Sequence, residues 1–185
     1  MSDDNKVNIL DENRIVTLWG KVKEDTIQPI HNKLLEFIVK DSKAPITLIV
    51  SSWGGSTNEC FALIDLMESL PCEITTVAMG KATSAGALIA CAGDKRVSLP
   101  RTEWMFHRFS IVAFGNYSDL LSGRGREDRL HNTCVDHLIR HSKYKTKADV
   151  EKHLLKDTDV WLSAKQAKSH GLVDEIWTHM KVGSK

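Results

Sequence analysis

Two unbroken apolar runs, each emptying into a glycine-rich turn and then into a helix-spaced segment, constrain this chain more than any other feature. The first is Ile46–Val50 (ITLIV), followed by the turn Ser51–Ser56 (SSWGGS). A segment Asn58–Leu70 comes next, with Phe61, Ile64, Leu66, Met67 and Leu70 apolar, and stops at Pro71. The second is Ile74–Met79 (ITTVAM), which Gly80 should end, followed by Lys81-Ala82-Thr83-Ser84-Ala85-Gly86 and a small-residue helix over Ser84–Ala92. Apolar runs of this length are expected of strands covered on both faces. Strand–helix–strand–helix order predicts an α/β fold with a largely parallel sheet.

The remaining segments extend that pattern. Arg14–Leu18 (RIVTL) predicts a first strand, and Asp25–Val39 a helix with Ile27, Ile30, Leu34, Leu35 and Ile38 at helical spacing. Pro29 is expected near the start of that helix, where a missing N–H does little harm. Arg96–Leu99 and Trp104–Phe106 predict two more short strands, and Tyr117–Ser142 a polar helical region interrupted by Gly123 and Gly125. Ser163-x-x-Gln166 has capping-box spacing, Gly171 suits a helix C-terminus, and Leu172–Trp177 predicts a last strand. No repeat or linker divides the 185 residues, so residues 1–185 are expected to form a single domain.

Bulk chemistry excludes several classes. A net charge of +1 lacks the basic excess of a nucleic-acid binder. The polar start MSDDNKVNIL is not a secretory signal, and the longest apolar stretch, Ala82–Gly93, is too short to span a bilayer. Cys60, Cys72, Cys91 and Cys134 form no C-x-x-C pair and read as free thiols of a reducing cytoplasm.

Catalytic groups in α/β sheets gather beyond the carboxyl ends of the strands. Ser84, at the start of a helix after ITTVAM, stands there among small residues. Its hydroxyl would lie near the unpaired amides of the helix N-terminus, which can bind the oxyanion formed when a serine attacks a carbonyl. Gly54 and Gly55 could turn a second amide toward the same oxygen. The plain alternative is that Ser84 is only an N-cap. Among eight histidines, His107 alone follows an apolar strand and should sit at its carboxyl end. The alternative for it is a partly buried histidine with a satisfied hydrogen bond. Asp159 precedes the apolar Val160-Trp161-Leu162, with Asp157 as a near neighbour; a surface carboxylate is the default for either.

Together these segments resemble the proteolytic subunit (ClpP) family of Clp serine peptidases. The family's glycine turn is matched by Ser52-Trp53-Gly54-Gly55-Ser56, and its nucleophile segment by Ala82-Thr83-Ser84-Ala85-Gly86-Ala87. Its histidine strand is matched by Met105-Phe106-His107. The aspartate segment is matched by Asp159-Val160-Trp161-Leu162-Ser163-Ala164 and, further on, Gly171-Leu172-Val173-Asp174. The likeness runs from Arg14 to Trp177. It implies a crotonase-like spiral of βαβ units with a helical handle over residues 117–142, preceded by a short N-terminal segment over residues 1–12. It also implies a catalytic triad of Ser84, His107 and Asp159, with oxyanion donors among the amides of Gly54, Gly55 and Ala85. No metal or organic cofactor is needed by that route. The implied partners are peptide or unfolded-protein substrates, copies of the chain in one or two stacked heptameric rings, and an AAA+ unfoldase; nucleic acid and membrane are not implied.

The chain departs from the family at Trp53 (usually proline), at Thr83 and Ala85 beside the nucleophile, and at Gly123 and Gly125 in the handle. Its N-terminal segment is expected to be short, as in a phage-encoded relative. Competing readings are an inactive ring subunit, a crotonase-type acyl-CoA hydratase or isomerase, and a serine–lysine dyad using Lys81.

Overall fold

The computed structural model describes residues 9–108 and 117–179, so residues 1–8 of the N-terminal segment lie outside the described residues. After a single helical turn, α1 (Ile9–Glu12), the chain runs β1 (Ile15–Val22), α2 (Glu24–Lys40), β2 (Ile46–Gly55), α3 (Thr57–Ser69), β3 (Ile74–Thr83) and α4 (Ala85–Cys91). Two short strands follow, β4 (Lys95–Ser98) and β5 (Glu103–Phe106). The long helix α5 (Tyr117–Arg140), α6 (Lys147–His153), β6 (Val160–Ser163), α7 (Ala164–Ser169) and β7 (Glu175–Ile176) complete the order. Successive parallel strands pair side by side, giving β1-β2-β3-β4-β7 along one path, so each βαβ unit adds one strand to a growing spiral.

The apolar patterning explains which face is filled. Ile46, Leu48 and Val50 of β2 are buried against Ile27, Ile30, Leu34 and Phe37 of α2 and Cys60, Leu63, Ile64 and Met67 of α3, in one cluster. The opposite face of the sheet is covered more thinly, by Val77, Val97 and Trp177, with Ile49 half-buried beside them. Helix α4 is buried on every side, which its composition of alanine, glycine and one leucine–isoleucine pair permits.

Several segments differ from the sequence expectation. Both strands continue into their glycine-rich segments before ending. The backbone of Ser51–Gly55 continues β2 and pairs with β1 through Val22↔Gly55, after a register slip at Gly20/Lys21. Gly80 does not end β3 but bends it: at φ +71° it takes a conformation glycine adopts without cost. Before the bend β3 pairs with β2 and β4; after it, Lys81–Thr83 pairs with β5 while Ala82 still pairs with Ser52 of β2. Helix α2 begins at Glu24, so Pro29 falls in its second turn rather than its first. Helix α5 runs unbroken through Gly123 and Gly125. Val160–Ser163 is a strand, antiparallel to β5, and the last strand shortens to Glu175–Ile176. The expected cap of α7 is present: Ser163 N–H donates to Gln166 Oε1 at 2.8 Å and Gln166 N–H to Ser163 Oγ at 3.3 Å. Gly171 follows at φ +75°.

Candidate active site

The bend at Gly80 is what builds the site. It diverts the end of β3 onto β5, with Ala82↔Trp104 and Thr83↔Met105 in parallel register. Ser84 and His107 are each close behind the last residue of their strands, so both emerge at the carboxyl edge of the sheet. Ser84 N–H donates to Met105 O at 2.8 Å, tying the backbone of the serine to the strand that carries the histidine. The side chains meet: His107 Nε2 lies 2.8 Å from Ser84 Oγ.

Ser84 is held in an unusual conformation, φ +54° and ψ −126°. A non-glycine residue there costs on the order of 1–3 kcal/mol and persists only where its surroundings over-determine it. The geometry is that of a sharp strand-to-helix elbow, which presents the hydroxyl at its tip. Although Ser84 occupies the N-cap position of α4, its side chain makes no capping bond. The imidazole takes the hydroxyl instead, which answers the N-cap alternative.

The oxyanion candidates surround this tip. Ala85 contributes the first amide of α4, which has no intrahelical acceptor. Gly54 lies against the elbow, yet its N–H donates to Ser52 Oγ at 3.0 Å, while Ser52 Oγ donates to Gly20 O at 2.7 Å. Gly55 pairs with Val22 at the end of β2.

Asp159 is an exposed residue, and among the described residues it makes no hydrogen bond to His107. β5 and β6 pair antiparallel as Met105↔Trp161 and Phe106↔Val160, so His107 and Asp159 are each the next residue beyond the end of that ladder. Asp157 has a cation of its own, with Oδ1 3.0 Å from Arg108 Nη1. Lys81, the alternative base, holds its ammonium 4.7 Å from the centre of the Trp53 ring.

A small cavity opens beside the pair, lined by Ala85, Leu88, Phe106, Cys134 and Leu155. Burial pushes the Cys134 thiol up to about 12, so it stays protonated and is no rival nucleophile to Ser84. The cavity left no signal in the sequence, and the pairing of β6 with β5 left only the apolar run after Asp159.

Fold and pair together define a class: a crotonase-like α/β protein carrying a serine–histidine pair at the carboxyl edge of its sheet. The Clp protease family model matches residues 2–180. An ATP-dependent Clp protease proteolytic subunit 1 from Mycolicibacterium paratuberculosis is 30% identical over 188 residues, covering 100% of this chain and 88% of the relative. An ATP-dependent Clp protease proteolytic subunit 2 from Thermobifida fusca is 31% identical over 168 residues, covering 90% of this chain and 81% of the relative. A subunit 2 from Mycobacterium leprae is 30% identical over 188 residues. This chain belongs to the Clp protease family.

Proposed function

We propose that this chain is a serine endopeptidase subunit that hydrolyses peptides and unfolded proteins inside an oligomeric ring. The 2.8 Å contact between Ser84 Oγ and His107 Nε2 carries this reading. Ser84 Oγ attacks the peptide carbonyl carbon as His107 Nε2 takes its proton. The tetrahedral oxyanion is held by backbone amides, and collapse breaks the C–N bond as His107 returns the proton to the leaving amine. Water then repeats the sequence on the acyl-enzyme. Asp159 holds the His107 tautomer and stabilises the imidazolium from across the β5–β6 pair. Gly54, Gly55 and Ala85 line the oxyanion pocket. Of these, Gly55 and Ala85 are the favoured donors, because the Gly54 amide is engaged by Ser52.

Assembly into a ring, with a second ring stacked on it and an AAA+ unfoldase feeding it, is supported by family membership and by the ATP-dependent relatives. Exposed Trp19, Leu35, Val39 and Trp161 supply apolar surface for subunit contacts. A cytoplasmic setting is supported by four buried free cysteines. Among the described residues no helix is long and apolar enough to cross a membrane.

The test combines native mass with fluorophosphonate labelling of each species and hydrolysis of a fluorogenic peptide. Labelling of assembled protein, lost in Ser84→Ala and in His107→Ala but kept in Lys81→Met, supports the reading. An assembled ring that neither labels nor cleaves would be an inactive subunit, and turnover of a crotonyl thioester without peptide cleavage would be a hydratase.

A further inference from the structure

At the end of β3 remote from Ser84 lies a cleft of about 760 Å³, lined by Glu68, Arg96, Arg140 and His141 among other residues. Three side chains of metal-ligating type meet there: Glu68 and His141 line the cleft, and buried His137 lies within ligand distance of both. His137 and His141 are four residues apart on or just past α5, so they share one face, and Glu68 reaches them from α3. One donor atom from each lies within 4.8 Å of the other two. His141 Nε2 and Glu68 Oε1 are 3.6 Å apart.

The hydrogen bonding of the two imidazoles is incomplete in a specific way. His137 is fully buried. Its Nε2–H donates to Leu88 O at 3.0 Å, which fixes the tautomer and leaves Nδ1 as a bare lone pair with no partner. His141 Nε2 is likewise buried without a hydrogen-bond partner. Leaving such atoms unpaired in an interior is costly, and most buried polar groups avoid it. A backbone carbonyl gripping the far nitrogen of an imidazole is the usual support of a metal-binding histidine.

We propose that Glu68, His137 and His141 bind one divalent transition-metal ion of the zinc type, at a site separate from the serine–histidine pair. Two imidazoles and one carboxylate are a borderline donor set that favours zinc or cobalt over magnesium or calcium. Bond lengths of about 2.0–2.1 Å in a tetrahedral site place donors roughly 3.3–3.4 Å apart. The three side chains must therefore close by a small rotation, which Glu68, the most exposed of the three, permits. Water from the cleft completes the shell. Arg140 competes, since its Nη1 donates to Glu68 Oε2 at 3.1 Å and Oε1 at 3.3 Å. That guanidinium is 56% exposed, so it can swing away. The ion would clamp α3 to the end of α5 and, through His137 and the Leu88 carbonyl, brace α4, whose first residue follows Ser84.

The experiment uses the full chain, stripped with EDTA and then equilibrated with zinc or cobalt. Metal retained per chain, the visible absorption of bound cobalt and the melting temperature are measured. Expected are one equivalent per chain, a tetrahedral cobalt spectrum, and a rise in melting temperature that EDTA reverses. Glu68→Gln and His141→Gln should each weaken binding at least about tenfold. Both positions border the cleft, so these variants should fold, whereas substitution of buried His137 is the riskier change. Arg140→Gln should tighten binding by freeing Glu68. Absence of retained metal overturns the proposal. So does binding of equal strength in Glu68→Gln and His141→Gln, which would put the ion elsewhere.

Discussion

Gly54 backs directly onto Ser84: a Cβ added at Gly54 would stand 2.8 Å from the Cβ of the serine. It would also lie 2.7 Å from Thr83 O and 3.0 Å from the Ala85 amide. Two of these neighbours are backbone, which cannot rotate away, and the φ of +83° at Gly54 is itself unfavourable for any other residue. Gly54→Ala must therefore push the elbow off the imidazole. A displacement near 1 Å costs about 100-fold in rate. Steady-state kinetics on a fluorogenic peptide should show kcat/KM falling by about that factor or more, in protein that still folds by circular dichroism. Activity within about twofold of wild type would mean that the elbow tolerates the methyl group and that the packing argument is wrong.

The place of Asp159, one residue before β6, leads to a sharper contrast with Asp157. If Asp159 orients His107 from across β5 and β6, Asp159→Asn should lower kcat on the order of 100-fold or more, with KM little changed. The loss seen when the aspartate of a well-formed triad is replaced is about 10⁴-fold. Asp157, 90% exposed and paired with Arg108, offers the matched control. Asp157→Asn should keep kcat within about twofold, as exposed ion pairs contribute little. Equal effects of the two substitutions would remove Asp159 from the catalytic assignment.

Asp174 makes a pH-dependent contribution to stability. Burial alone would raise its pKa, but hydrogen bonds from the Arg96 side chain and backbone outweigh that and hold it below the ordinary 3.8. Arg96 Nε donates to Asp174 Oδ2 at 3.0 Å and Arg96 N–H to the same oxygen at 2.8 Å. The same guanidinium donates to His141 O at 2.8 Å and Gly171 O at 3.0 Å, so the pair fastens β4 to the ends of α5 and α7. With the folded pKa depressed, the unfolded chain binds the proton first as pH falls. The stabilisation is therefore whole above the unfolded value and is lost as pH drops through the folded one. Asp174→Asn should lower the melting temperature at pH 7 by roughly 2–4 °C. The gap to wild type should close below about pH 3–4. A gap that stays constant from pH 7 to pH 2 would assign the effect to packing rather than charge.

The order of strands and helices was legible because Ile46–Val50, Ile74–Met79 and the helix after each carry their burial in side chains. The joins were not. Ser51–Gly55 and Lys81–Thr83 continue as strand through backbone pairing alone, which leaves no apolar signature in the sequence. Helix α6 has only Val150 buried among its seven residues, too little periodicity to register. β6 is four residues long and exposes Trp161, so its pairing with β5 leaves no alternating signature in the sequence. The closeness of Ser84 and His107 followed from the carboxyl-end rule, but the positive φ of Ser84 did not, because nothing in A-T-S-A-G distinguishes a strained elbow from a relaxed cap. The pair His137 and His141 stands in the sequence as H-L-I-R-H; Glu68, far away in the chain, becomes its neighbour only through the packing of α3 on the end of α5.

Gly123 and Gly125 offer a test of how much of α5 is held by its own backbone. Both lie within the unbroken helix, and neither takes a positive φ. A Cβ at Gly123 would meet nothing within 4 Å, and one at Gly125 only the flexible end of Arg129 at 3.8 Å. No close contact within the subunit therefore requires glycine at either position, and each weakens a helix interior by about 1 kcal/mol relative to alanine. Gly123→Ala and Gly125→Ala should each raise the melting temperature by roughly 2–4 °C. The double variant should be near the sum, provided the two sites act independently. Because the family resemblance implies a handle over residues 117–142, native mass must be read on the same samples. A stabilised chain that no longer forms its assembly would mean that the glycines serve a contact between subunits. A chain stabilised with assembly and peptidase rate unchanged would mean that they are simply unoptimised helix positions. If neither alanine raises the melting temperature, α5 does not hold the continuous helical backbone described for it, and the sequence expectation of an interruption at these glycines regains its force.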